Sequence, residues 1–282
     1  MRNLAVERGP RPPLPVIECP RSFPGASALV SLPPFPRRLA AALLFLLLPL
    51  ASPAVAEQSV VLAVPDHEPL AEAGLGVITE LYRRIGYQIH EELLPARPAA
   101  RDPDAGETDG ELMRAVDPDQ RFSDLITVPG PLIEDDIVAF TAGHPALLLS
   151  GWAGLDGRTV CTRPGIAPID QGLSAASGVK VIFAADSAQI FRRLKAGACD
   201  FAILPESAWI EAQEAGIGGL AEATPALGHF TTFHQVSRRR AMLVPSLAAV
   251  LRQLRGEGFI ARAQTEFDAA IAAAKSENSL MR

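Results

Sequence analysis

The chain has 282 residues, with 26 Lys and Arg against 32 Asp and Glu, for a net charge of −6 with histidine neutral. The first 56 residues hold six Arg and two Glu, so residues 57–282 carry 20 basic and 30 acidic side chains, a net −10. So acidic a surface repels phosphate backbones and anionic lipid heads, which argues against nucleic-acid or membrane-surface binding.

Residues 1–36 hold nine of the 25 prolines and show no periodicity. Arg37-Arg38, an apolar run over 39–50 and Ala54-Val55-Ala56 then come in the order of a basic region, a hydrophobic core and a small-x-small cleavage site. The run is shorter than the roughly 20 residues of a membrane span, and Pro49 interrupts it. Residues 1–56 are therefore expected to be a leader with a cleavable signal peptide, leaving a periplasmic protein that starts near Glu57 and is not inserted in the membrane.

Ser59–Val64 reads as a strand, and Leu75, Ile78, Leu81, Tyr82 and Ile85 recur at helical spacing until Gly86. Gln88–Leu94 alternates as a second strand; Asp109–Ala115, Leu125–Val128 and Ile137–Thr141 come next. After the polar break at 143–157 come strand Arg158–Thr162, helix Ile169–Ala176, strand Val179–Ala184, helix Ser187–Ala196 and strand Asp200–Leu204. A last strand around Phe230–Val236 and helices Leu243–Arg255 and Ile260–Ala274 complete the chain. This alternation predicts an α/β protein with mostly parallel sheets flanked by helices. Two such units with a returning strand predict two lobes, 57–141 plus 229–282 and 142–228, joined by a hinge. Ligands of such sheets sit at the carboxyl ends of strands, which singles out the loops 65–69, 97–101, 163–167, 185–187 and 205–207.

Several segments resemble the bacterial extracellular solute-binding proteins of family 3, the amino-acid type that serves ABC transporters. Gly106-Glu107-Thr108-Asp109-Gly110 is similar to that family's Gly-x-x-Asp segment, and Leu155-Asp156-Gly157-Arg158-Thr159-Val160 to its entry into the second lobe. Leu194-Lys195-Ala196-Gly197-Ala198-Cys199-Asp200-Phe201-Ala202 resembles its helix-to-strand turn. The closing helices, from Leu243-Val244-Pro245 through Ile260, complete the likeness. The resemblance implies a two-lobed, type II periplasmic-binding-protein-like fold. It also implies binding of a small polar solute, such as a small carboxylate or an amino-acid-like molecule, by a monomer that delivers it to an inner-membrane ABC permease. Two other roles suit the same fold: a periplasmic dehydratase or lyase with Glu206 or His67 as general acid or base, and a solute sensor that serves no transporter. The loop Pro65-Asp66-His67-Glu68-Pro69 lacks the aromatic residues that the family places there.

Candidate ligand-binding residues are Asp66, His67, Arg97, Arg121, Arg163, Gly165 and Glu206. Arg163 precedes Pro164-Gly165 at a strand end, where a guanidinium beside free helix N–H groups suits a carboxylate; a solvated loop arginine is the alternative. Resemblance places Gly165 at a phosphate-loop-like turn, Arg121 where the family's carboxylate-binding arginine comes after Asp109, and Glu206 near the acid that meets the solute's amino group. Arg97 and Arg101 flank prolines at the mouth of the first lobe. Cys161 and Cys199 remain once Cys19 leaves with the leader, as a disulfide in an oxidising compartment or as two buried thiols. Neither their spacing nor that of the histidines suggests a metal, no cofactor motif is present, and the elbow, Walker and dinucleotide signatures of common enzymes are missing.

Overall fold

The computed structural model describes residues 58–65, 68–94, 108–115, 125–143 and 147–281. The expected leader lies outside the described residues, as do Asp66, His67, Arg97 and Arg121.

Strand β1 (Gln58–Pro65) buries Val60, Leu62 and Val64 and leads into helix α1 (Pro69–Arg84). Proline at the start of α1 costs nothing, because its missing N–H would have no helical partner. Val77, Ile78, Leu81 and Tyr82 bury the face that the sequence periodicity picked out. Gly86, at φ +81°, turns the chain into β2 (Tyr87–Leu94), which runs parallel to β1 over eight residue pairs. Strand β3 (Gly110–Ala115) lies parallel on the other side of β1. Strands β4 (Leu125–Thr127) and β5 (Glu134–Ala142) come after it.

The second unit runs through β6 (Thr159–Thr162), α2 (Ala167–Ala175), β7 (Lys180–Phe183), α3 (Ser187–Lys195) and β8 (Phe201–Pro205). Helix α4 (Ala208–Glu214) and strand β9 (Leu220–Glu222) come next, neither foreseen in the sequence. Strand β10 (Gly228–Ser237) then returns, succeeded by α5 (Val244–Gly256) and α6 (Phe259–Leu280). Helix α6 continues to Leu280 rather than ending at Ala274, because residues of its last turns are held by the second lobe.

The strand order is β2-β1-β3-β10-β5-β8-β6-β7. Its halves repeat one plan. In the first, β2, β1 and β3 are parallel and β10 is antiparallel; in the second, β7, β6 and β8 are parallel and β5 is antiparallel. The halves meet where Gly228–Thr231 pairs with Ile137–Glu134, beyond which β10 turns to pair with β3 and β4.

Two adjacent residues weld β10 to the first half. Asp109 accepts the Val61 N–H at 3.0 Å and the Nε and Nη2 hydrogens of Arg240 at 2.8 and 2.9 Å; against the cost of burial, these hold its carboxyl below the usual range. Gly110 lies so close to β10 that a Cβ there would sit 2.3 Å from the Gln235 carbonyl oxygen. Thus the segment that carried part of the family resemblance is a structural joint.

Candidate functional site

Parallel strands point their carboxyl ends to one side of each sheet, and helix N-termini face the same side. At that edge four side chains from four different segments converge. Arg163 comes directly after β6, Glu68 precedes α1, Ser187 opens α3, and Glu211 lies on α4. Thr162 fixes the strand end beneath Arg163 by donating its hydroxyl to the Ile203 carbonyl at 2.7 Å.

Arg163 is only 7% exposed, shielded from solvent rather than projecting from the loop. Its Nη2 stands 3.7 Å from Glu68 Oε1 and its Nη1 3.5 Å from Glu211 Oε2. These are ion pairs longer than the usual range of a hydrogen bond. Burial pushes the Glu211 carboxyl above its ordinary range; Arg163 and the nearby Ser187 hydroxyl oppose the shift, while Glu68 and Glu214 add to it. The buried Glu211 Oε1 and the Ser187 Oγ have no hydrogen-bond partner. Native interiors leave few polar atoms in that condition, since each costs about 1–3 kcal/mol. The cluster holds one cation, two carboxylates and a hydroxyl, and so can pair with an acceptor beside Arg163 and a donor beside Glu211.

The other candidates are placed elsewhere. Gly165 takes φ +88° in the turn that enters α2. Glu206 pairs with Lys275 of α6 rather than with Arg163, and its own N–H donates to the Asp136 carbonyl at 2.8 Å. Glu211 and Ser187 were not nominated from sequence. Ser187 stood in a loop that strand-end logic selected, but Glu211 depends on α4, whose seven residues are too few for periodicity to mark. Cys161 and Cys199 form a disulfide, with Cα atoms 5.9 Å apart. The bond ties β6 to the turn entering β8, behind the strand ends that carry Arg163.

A groove of about 490 Å³ lies to one side, lined by Ala73 and Gly76 of α1, Ile210 of α4, and Phe259 and Phe267 of α6. It does not include Arg163, and Glu72, Arg262 and Glu266 join the small and apolar residues of its lining. Among the described residues no group of His, Cys, Asp and Glu could hold a metal ion, and no helix is long and apolar enough to cross a membrane.

Comparison with known structures defines the fold. A mutant of ArgBP from T. maritima superposes with a TM-score of 0.62 at 17% identity, covering 75% of this chain and 95% of that one. The GluR0 ligand binding core in complex with L-glutamate gives 0.63 at 11% identity over 76% and 99%. A histidine kinase sensor domain with similarity to periplasmic binding proteins gives 0.59 at 17% identity over 74% and 95%. The chain therefore has the two-lobed, periplasmic-binding-protein-like fold, each lobe a mostly parallel sheet flanked by helices. No family model matches the sequence. An "Uncharacterized protein" of Shewanella oneidensis is 29% identical over 79 residues, which are 28% of this chain and 30% of that protein.

Proposed function

We propose that this protein captures a small polar solute between its lobes, at Arg163, Glu211 and Ser187 on one side and Glu68 on the other. The observation that carries this reading is the set of buried polar groups at the strand ends whose hydrogen bonds are unmade. A solute that completes them must donate to Glu211, and one carrying a carboxylate can also accept from Arg163 beside it. With one cation facing two carboxylates, a molecule carrying a carboxylate beside an ammonium fits better than a dianion. The chain is then an exported binding component, cut after Ala56, that acts as a monomer and passes its solute to an ABC permease. Support comes from the shared fold of ArgBP and the glutamate-bound GluR0 core. The histidine kinase sensor domain on the same fold favours a second role, a solute sensor without a permease.

Calorimetry of the periplasmic protein against small amino acids, monocarboxylates and dicarboxylates tests this reading, with intact mass reporting the start near Glu57. One zwitterionic solute should bind, and Arg163→Ala should weaken it by roughly tenfold to a hundredfold, the loss of one charge-assisted contact. Unaltered affinity in Arg163→Ala would remove the cluster from the binding site.

A further inference from the structure

Helix α6 is 22 residues long, about 33 Å at the helical rise. Its first half belongs to the first lobe. Ile260 is buried there, the helix packs beside α1 and α5, and Gln264 exchanges two hydrogen bonds, at 2.9 and 3.0 Å, with the Glu134 backbone at the seam where β5 begins.

Its second half lies on the second lobe, beside α4. Lys275 pairs with Glu206 and, at 2.9 Å, with Glu222, whose carboxylate also accepts the Trp209 indole N–H at 3.0 Å. Gln213 donates to Glu277. Asn278, only 1% exposed, accepts the Leu220 N–H at 3.1 Å and donates to the Ile217 carbonyl at 2.8 Å. A buried amide is tolerated only when its groups are paired, so Asn278 fixes one docked register for the end of the helix. Between these anchorages α6 borders the open groove against α1 and α4.

We propose that α6 is a strap across the two lobes, and that undocking of its last two turns from the second lobe gates opening of the crevice. Rotation about the four-pair seam of β5 and β10 moves one lobe relative to the other. A straight helix fastened to both must let go at one end. The first-lobe end is held by buried Ile260 and by the short connection to α5, whereas the last two turns, beyond buried Ile271, are held by buried Ala274 and by the hydrogen bonds and ion pairs of Lys275, Glu277 and Asn278. That end releases. The ion pair of Glu68 with Arg163 is a second fastening across the same crevice.

The inference does not need the solute reading, and its test uses no solute. Spin labels at Glu91→Cys and Lys180→Cys, on exposed sites of the two edge strands, report the lobe separation by electron–electron double resonance. The otherwise unaltered protein should give one narrow distance distribution. Lys275→Met should add a longer-distance population, and Lys275→Met with Asn278→Leu should make it dominant. Should the double variant fail to fold, by circular dichroism, Lys275→Met alone decides. A broad distribution in the parent, or an unchanged one in Lys275→Met when the double variant is also unchanged or unfolded, overturns the strap. Strap-controlled opening in a protein that binds no small acid would refute the solute reading alone.

Discussion

His234 is fully buried, and its partners identify its protonated nitrogen. Nδ1 lies 2.9 and 3.0 Å from the Glu111 and Leu112 carbonyl oxygens, which only accept, so Nδ1 carries the hydrogen. Nε2 then accepts the Tyr82 hydroxyl at 2.9 Å. Burial depresses the imidazole to about 4, the two carbonyls opposing it. Asp135 shows the reverse. Burial raises its carboxyl to about 7, against hydrogen bonds from Ser207 and the Asp136 N–H, with Glu206 adding to the rise. The linkage signs are opposite. Asp135 contributes stability that is full below its unfolded value near 4 and is lost as pH rises through about 7. His234 contributes stability present above its unfolded value of 6.5 and lost as pH falls through about 4. Between about pH 4 and 6.5 these two contributions offset one another. Asp135→Asn should remove its falling limb, so that stability climbs more steeply with pH across that interval than in the parent. Urea denaturation at several pH values measures the slope; a slope equal to that of the parent refutes the assignment. Neither group was visible as special in the sequence. Each is set by what surrounds it in three dimensions, and the same holds for Arg163, whose burial among carboxylates no local pattern announces.

Secondary-structure elements were more legible than sites, because periodicity is local. Helix α1, strands β1 and β2, and the run from β6 to β8 can be read from apolar spacing with glycine and proline as punctuation. What escaped is short or held from afar. Helix α4 has seven residues, and the last turns of α6, with Lys275, Glu277 and Asn278, read as a polar tail until their partners on the second lobe are seen. Glycines test the packing between elements. Gly110→Ala would press a methyl group against backbone only 2.3 Å away, which cannot yield as a side chain end would. It should destabilise by more than about 2 kcal/mol as β3 and β10 separate. Gly76→Ala, on the exposed face of α1 with nothing within 4 Å, should stabilise by about 0.5–1 kcal/mol through helix propensity alone. Melting curves of the two variants should therefore move in opposite directions, and a shared direction would refute this account of Gly110.

At the scale of the molecule the two-lobed plan was readable because each half repeats the same alternation of strand and helix. The seam was not, since β10 changes partners midway along one continuous strand. That exchange bears on the order in which the chain can fold. All strands of the second half, β5 to β9, lie in one uninterrupted stretch, and the Cys161–Cys199 bond closes 38 residues within it, worth about 4 kcal/mol in the chain-entropy model. The first half has no such autonomy. Among the described residues its strand β4 pairs with β10 alone, and β3 lacks its second neighbour until that strand arrives late in synthesis. A chain that emerges amino end first would thus finish its middle before its beginning. Pulse-labelled hydrogen exchange during refolding should find the amides of Phe201–Pro205 protected ahead of those of β3 and β10. Reductant should erase that lead, and simultaneous protection in the oxidised protein would show that both halves condense as one.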